Sequence, residues 1–359
     1  MSHPKATGNR RSANQTLMDP INLWRECVQD AEGCYFDPVC RAPDLLCAHA
    51  LSRGWLNTLA DANRKVYWFS HREGLVPKLR KPLTETGATT TPDQAQQEAC
   101  LDQTQRKAHP DLAPVDVATT AKFCCKTHDL RFTPIDELDV RSVLTPSDLN
   151  ERWRNLMFHR AVIRQLYRDT AFKVYRRELR RRYPGQSFPW DDNPHWDWNS
   201  IENLRRARKI LLEALNTKGS SWRVRHIVRH ILGAPQVAAC GVSSWGPDVW
   251  GCTVVPHAGG HLAAYHYCTT QLLPRAWEGL AQMERSSEAG MFRAAACQPR
   301  RISRFLLTLC KEVCLAPAAW HRWDAGKQDA VRDLFFSTIT GDRFGGPPLA
   351  AIPDVNLFD

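Results

Sequence analysis

The chain has 359 residues, of which 43% are hydrophobic and 24% charged, and it carries a formal charge of +10. That composition is globular and excludes a wholly disordered chain, while the lack of any run near ~20 apolar residues excludes a membrane-spanning helix. Its thirteen cysteines, an odd number with no apolar signal segment ahead of them, argue against a disulfide scaffold and for reduced thiols or metal ligands in a soluble, cytoplasmic protein.

Residues 1–20 are polar and predict a flexible leader. Residues 21–140 predict a small N-terminal domain. It begins with an amphipathic stretch from Ile21 to Val28 and continues with Cys34, Cys40 and Cys47. The segment AHALSRGWLNTLAD (48–61) then reads as a helix, and Lys65–Phe69, β-branched and aromatic, as a strand. From about 72 to 113 the chain is polar, as expected of an insertion, and order returns at FCCKTHDLRFTPIDELDV (123–140).

Residues 145–232 predict a basic helical region. Ser147 or Asp148 can cap a long helix whose apolar stripe is Leu156, Ile163, Tyr167, Ala171 and Val174. A Pro- and Trp-rich tract breaks it, and a second helix turns Ile201, Leu204, Leu211 and Leu215 inward. Residues 233–340 predict an α+β region with a hairpin turning at Gly259-Gly260 between Trp250–Val255 and His261–Tyr267. A helix follows with Ile302, Phe305, Leu306, Leu309 and Val313 on one face, then a last helix from Lys327 to Ile339 and a Gly/Pro-rich tail over 341–359. The expected class is α+β: a small metal domain followed by a helical domain with a small β-sheet.

Two short-spaced pairs, Cys34-x5-Cys40 and Cys125-x2-His128, supply the four borderline-soft ligands that a structural Zn2+ takes in a tetrahedron. The loop between them is long, but closure entropy grows only slowly with length. Cys47 could replace Cys40 and Cys124 could replace Cys125; the two-residue gap to His128 favours Cys125.

These residues, with Ala48-His49-Ala50-Leu51, Val66-Tyr67-Trp68, His128-Asp129 and Phe132-Thr-Pro-Ile135, resemble a widespread, mostly uncharacterised bacterial zinc-binding family. That family carries a C-x5-C knuckle, an Ala-His helix, an aromatic strand and an FCxxHDxxLFxPIE segment. More distantly the order of parts is similar to zinc-stabilised HNH (ββα-metal) nucleases. That resemblance implies an HNH or treble-clef-like domain, with His49 as general base and Asp129 as ligand to a catalytic Mg2+ or Mn2+. The HNH pattern has a carboxylate directly before the base, whereas this chain has Ala48; Asp44, Asp61 or Asp136 are the available replacements.

Between Glu151 and His230 there are 19 Lys/Arg against 8 Asp/Glu, so the chain's positive excess is concentrated there. Arg176, Arg177, Arg180, Arg181, Arg182, Arg205, Arg206 and Arg208 are the expected phosphate contacts, since arginine suits bidentate oxyanion recognition. Trp153, Tyr167, Tyr175, Tyr183, Trp190, Trp196 and Trp198 are the expected base-stacking surfaces. His257, His261 and His266, with Cys252 and Cys268 nearby, read as structural, and Cys310 and Cys314 as core residues of one helix. The expected function is nucleic-acid binding, with metal-dependent endonuclease activity if the resemblance extends to mechanism and a defence setting as its context. The alternative expectation is a non-catalytic zinc-stabilised adaptor that docks a protein partner through its basic helices.

Overall fold

The computed structural model describes Leu23, Cys27 and residues 33–42, 44–70, 111–182, 184, 198–217, 223–245, 247–270, 299–310, 312–337 and 355–359. The expected leader, nearly all of the polar insertion, most of the Pro/Trp tract and most of the tail lie outside these residues. Of the expected amphipathic start, Leu23 and Cys27 are described, and both are buried.

The strands are β1 (Leu45–His49), β2 (Lys65–Ser70), β3 (Asp111–Pro114), β4 (Thr120–Cys125), β5 (Val224–Leu232), β6 (Val237–Trp245), β7 (Asp248–His257), β8 (Gly260–Thr269) and β9 (Glu312–Leu315). The helices are α1 (Arg53–Leu59), α2 (Lys126–Asp129), α3 (Thr133–Asp136), α4 (Glu151–Arg182), α5 (Trp198–Asn216), α6 (Pro299–Leu309), α7 (Pro317–Arg322) and α8 (Ala325–Ser337). Helix and strand both contribute, compatible with the α+β class.

The sheet is larger than expected. Seven antiparallel strands run in the order β3-β2-β9-β6-β7-β8-β5, so the short strand β9 is inserted between β2 and β6. Strands β2 and β3 from the N-terminal part and β5 from the basic region thus join the C-terminal strands in one sheet, across the boundaries the sequence suggested. β1 and β4 form a separate antiparallel pair whose register shifts between Leu46 and Cys47. The expected hairpin is present: β7 and β8 are joined through Ala258-Gly259. Gly260 follows at φ +130°, where a Cβ would stand 2.1 Å from the Ile231 carbonyl oxygen of β5, so only glycine fits.

Several local expectations change. Residues 45–49 are a strand, and the helix begins at Arg53, where Ser52 Oγ accepts from Gly54 N–H at 3.2 Å. α4 begins at Glu151 behind Asn150, whose Oδ1 accepts from Trp153 N–H; Asp148 instead closes the preceding turn by accepting from Thr145. Cys314 lies on β9, not on the helix that ends before Cys310, although both thiols are buried as expected. In the expected tail, Val355, Leu357 and Phe358 are buried in the core beside α6 and α8.

α4 departs most from an amphipathic surface helix. Every residue from Asn155 to Ile163 is buried, because the first half of the helix passes through the core with the sheet and the β1–β4 pair packed around it. Its buried polar side chains each find at least one partner. Asn155 Oδ1 meets His226 Nε2 at 2.9 Å, His159 Nε2 donates to the Phe36 carbonyl at 3.1 Å, and Arg160 forms a two-pronged pair with Asp136 at 2.7 Å on each arm. One turn on, Arg164 donates to Glu312 Oε1 from Nε at 3.0 Å and from its terminal nitrogen at 2.6 Å, while Trp68 Nε1–H donates to Glu312 Oε2 at 2.9 Å. That pair joins α4, β9 and β2.

Candidate metal centre

The knuckle is made by a short turn. Gly33, at φ +69°, admits the chain, Asp37 Oδ1 accepts from Val39 N–H, and Cys40 N–H closes the turn on the Asp37 carbonyl at 3.1 Å. Cys34 and Cys40 flank it. The other pair comes from the junction of β4 and α2: Cys125 ends the strand and caps the helix, and His128 sits in its single turn. Tyr35 N–H donates to the Phe123 carbonyl at 2.9 Å, locking the knuckle onto β4.

One ligand atom from each of Cys34, Cys40, Cys125 and His128 lies within 4.8 Å of the other three, and this group could hold a metal ion. His128 Nδ1 is 3.3 Å from Cys34 Sγ and 3.4 Å from Cys125 Sγ, and Cys40 Sγ is 4.0 Å from Cys125 Sγ. A tetrahedron with bonds of ~2.3 Å to sulfur and ~2.0–2.1 Å to nitrogen has edges of roughly 3.8 Å between sulfurs and roughly 3.5 Å between sulfur and nitrogen. These three separations are close to the edges of such a tetrahedron, and the whole group lies within 4.8 Å. Neither alternative belongs to that group: Cys47 is exposed on β1, and Cys124 is fully buried with its thiol hydrogen-bonded to Cys34.

The cluster is built to hold a thiolate. Cys34 is held well below the ordinary thiol range, first by the Cys124 thiol hydrogen-bonded to it, with further donation from the Cys125 and Phe36 backbone N–H groups. Burial works in the opposite direction on Cys34 and pushes Cys124 up, so Cys124 remains the donor. Cys125 N–H lies 3.4 Å from Cys34 Sγ.

The ligand ring is braced from outside. Phe36 stacks on His128 with ring centres 4.6 Å apart and planes at 8°, the Arg131 guanidinium covers Phe36 at 5.1 Å, and His159 of α4 meets Phe36 edge-on at 4.6 Å. Burial holds the His159 pKa down to about 3, so the ring stays neutral in this packing. Helix α5 is fastened to the same unit: Arg208 donates to the Tyr35 carbonyl at 3.2 Å, and Arg131 donates to Asn216 Oδ1 at 3.0 Å. Sequence reasoning missed His159, Arg160 and Cys124 as supports, because each reads as a surface or spare residue until its partner is placed.

His49 ends β1, outside the four-ligand group. Its Nε2 lies 3.2 Å from the Val115 carbonyl; an acceptor there fixes the hydrogen on Nε2 and leaves the Nδ1 lone pair free. Burial, helped by Arg160, lowers its pKa, so the ring is neutral at pH 7. Asp129, half-buried at the end of α2, is shifted upward by burial, with Arg160 opposing. His49, Asp129, Asp136 and Arg160 lie in electrostatic range of one another. Of the three replacement carboxylates, the charge of Asp136 acts on both His49 and Asp129, while Asp61 is spent on the Asn63 and Lys65 N–H groups of its own turn. Asp136 is itself held by Arg160, and among the described residues His49 and Asp129 belong to no second gathering tight enough for an ion.

The expected phosphate contacts lie on the second half of α4 and on α5. Arg177, Arg180, Arg181, Arg182, Arg205 and Arg206 are exposed, whereas Arg176 and Arg208 are half-buried. The expected stacking surfaces are not available at three positions, since Tyr167 and Tyr175 are buried in the core and Trp153 is half-buried. Tyr183, Trp190, Trp196 and the side chain of Trp198 lie outside the described residues. The β7–β8 histidines are buried and hydrogen-bonded: His257 Nδ1 accepts from Leu144 and Gly259 N–H, His261 Nε2 from Gln236 and Val237 N–H, and His266 pairs with His226 at 2.9 Å. Among the described residues, no helix is long and apolar enough to cross a membrane. No protein-family model, no curated protein and no solved structure matches this chain.

Proposed function

We propose that the protein is a zinc-stabilised nucleic-acid-binding protein whose β1–β4–α2 unit is HNH-like and uses His49 as the base of a phosphodiester hydrolase. The observation carrying this reading is the division of labour in that unit. Four residues stand at zinc-like spacing and leave no open position for substrate, while His49, on the partner strand, is kept neutral with one ring nitrogen free. Zn2+ bound by Cys34, Cys40, Cys125 and His128 supplies folding free energy and rigidity. His49 Nδ1 then accepts a proton from water, and the Val115 carbonyl stabilises the protonated ring through Nε2–H. Asp129, next to a zinc ligand, is the expected holder of a catalytic Mg2+ or Mn2+.

A second reading rests on Asp136. Because Arg160 holds both of its oxygens and Ala48 offers none, the unit fits equally a module that keeps the HNH-like scaffold and acts as an adaptor. Cleavage of DNA and RNA with Mg2+ or Mn2+ by wild type and His49→Ala separates the two. The nuclease reading expects a loss of ~10²–10⁴-fold with metal content and fold unchanged. No cleavage by wild type, or equal cleavage by the variant, leaves the adaptor.

A further inference from the structure

Strand β5 is one edge of the seven-stranded sheet, and no described residue pairs with its outer side. The opposite edge, β3, is protected by being only four residues long and ending in Pro114. β5 has neither safeguard. It runs nine residues, VRHIVRHIL, with no proline and no shift of register against β8.

The ladder fixes which backbone groups face outward. Thr269 N–H donates to the Arg223 carbonyl at 3.1 Å, one step beyond the Val224–Cys268 pair, and the Ile231 carbonyl stands against Gly260 of β8. Hydrogen-bonded pairs alternate along an antiparallel ladder, so Arg225, Ile227, Arg229 and Ile231 turn their N–H and C=O groups to β8. Val224, His226, Val228, His230 and Leu232 turn theirs away from it. Among the described residues, the backbones of these five find no partner on the outer side.

The side chains alternate between the two faces of the sheet. His226 reaches Asn155 of α4 and His266 of β8, each at 2.9 Å, and His230 lies against His257 with ring centres 4.9 Å apart, so that face holds the strand in place. On the other face Arg225, Ile227 and Arg229 are exposed, Ile227 at 37%, and neither arginine has an acidic partner among the described residues.

An added antiparallel strand would hydrogen-bond to His226, Val228 and His230 and set its intervening residues opposite Arg225, Ile227 and Arg229. Those are the non-hydrogen-bonded pairs, in which Cα atoms approach to ~4.5 Å and side chains meet most closely. Opposite charges placed there stabilise, and like charges repel. A second copy is the poorer occupant, because β5 contains no acid and self-pairing would gather the arginines of both copies on one face.

We propose that the β5 edge takes an extended segment of an acidic protein partner as an additional antiparallel strand, in the pattern acid-x-apolar-x-acid. Main-chain hydrogen bonds supply the affinity, and Arg225, Ile227 and Arg229 select the alternation. The inference goes beyond the readings above, which rest on the metal unit and the basic helices.

The test is calorimetric titration of the full chain, with peptide raised to ~1 mM. The probe has the length of β5, nine residues, and is threonine throughout except for valine at its centre and glutamate two places to either side. The expected result is saturable binding. It should weaken about tenfold or more when the glutamates become lysines, or when the residues are shuffled so that glutamates and valine no longer share a face. N-methylation of the two residues flanking the valine, whose N–H groups face β5, should abolish binding, and N-methylation of the valine, whose N–H faces away, should leave it. Arg225→Glu/Arg229→Glu, with an unchanged circular dichroism spectrum, should reverse the preference in favour of the lysine peptide. The methylation comparison on wild type keeps the test decisive where that variant fails to fold. No binding of the glutamate peptide, equal binding of the shuffled one, or indifference to the position of the methyl group overturns the proposal. So does a dimer of the full chain whose amide-exchange protection falls on β5, which would put a second copy there.

Discussion

Glu312→Gln probes whether the core depends on its buried ion pair. Glu312 is 4% exposed and receives three hydrogen bonds, two from Arg164 and one from Trp68, drawing α4, β9 and β2 together. Glutamine keeps the shape but offers one acceptor oxygen and sets an NH2 group against either Trp68 N–H or the guanidinium. The Arg164 side chain, 12% exposed, is then a buried cation without its counter-charge. Breaking a buried pair from one side costs ~3–5 kcal/mol. That is a large part of the ~5–15 kcal/mol stability of a whole domain. In Arg164→Leu/Glu312→Leu both charges leave together, and the remaining cost is the orphaned Trp68 N–H, ~1–3 kcal/mol. Urea unfolding followed by tryptophan fluorescence reads both values. The reasoning fails if Glu312→Gln lies within about 1 kcal/mol of wild type, or if the double variant is the less stable of the two.

Two further outcomes follow from the same packing. Burial holds His159, His226 and His261 near a pKa of about 3. The unfolded chain therefore takes up protons below ~6.5 that the folded chain refuses; stability is full above that pH and falls as the pH drops, by up to ~1.4 kcal/mol per unit for each ring, and a denaturation series from pH 8 to pH 4 should show the loss beginning near 6.5. Because Arg208 and Asn216 fasten α5 to the metal unit, chelating the metal should speed amide hydrogen exchange throughout α5, and Arg208→Gln should narrow the difference between metal-loaded and stripped protein. Exchange in α5 that ignores the chelator would show that the two contacts do not couple the helix to the metal.

The group of four candidate ligands was legible in the sequence because ligation demands residue types at short spacing, and the two-residue gap to His128 singled out Cys125 over Cys124, whose thiol instead supports Cys34. The hairpin at Gly259-Gly260 was legible for a similar local reason. The sheet order was not. β9 reaches β2 across a separation such as Tyr67 to Leu315, and four residues carry no pattern that announces so distant a partner. The burial of α4 was hidden for the opposite reason: Asn155, His159, Arg160 and Arg164 look like a solvated face until Asp136, Glu312, His226 and the Phe36 carbonyl are placed against them. Ala48-His49 misled as a helix because the strand it belongs to pairs with β4, about seventy residues away, leaving no local signal.

The central claim, a structural zinc at Cys34, Cys40, Cys125 and His128, is met most directly by X-ray absorption at the zinc edge on protein purified without added metal. The account predicts one zinc per chain with three sulfurs at ~2.3 Å and one nitrogen at ~2.0–2.1 Å. It also predicts loss of both metal and soluble protein in Cys125→Ser/His128→Ala, since such binding is folding free energy. A stably folded, metal-free preparation, or the double variant retaining full zinc, would contradict it.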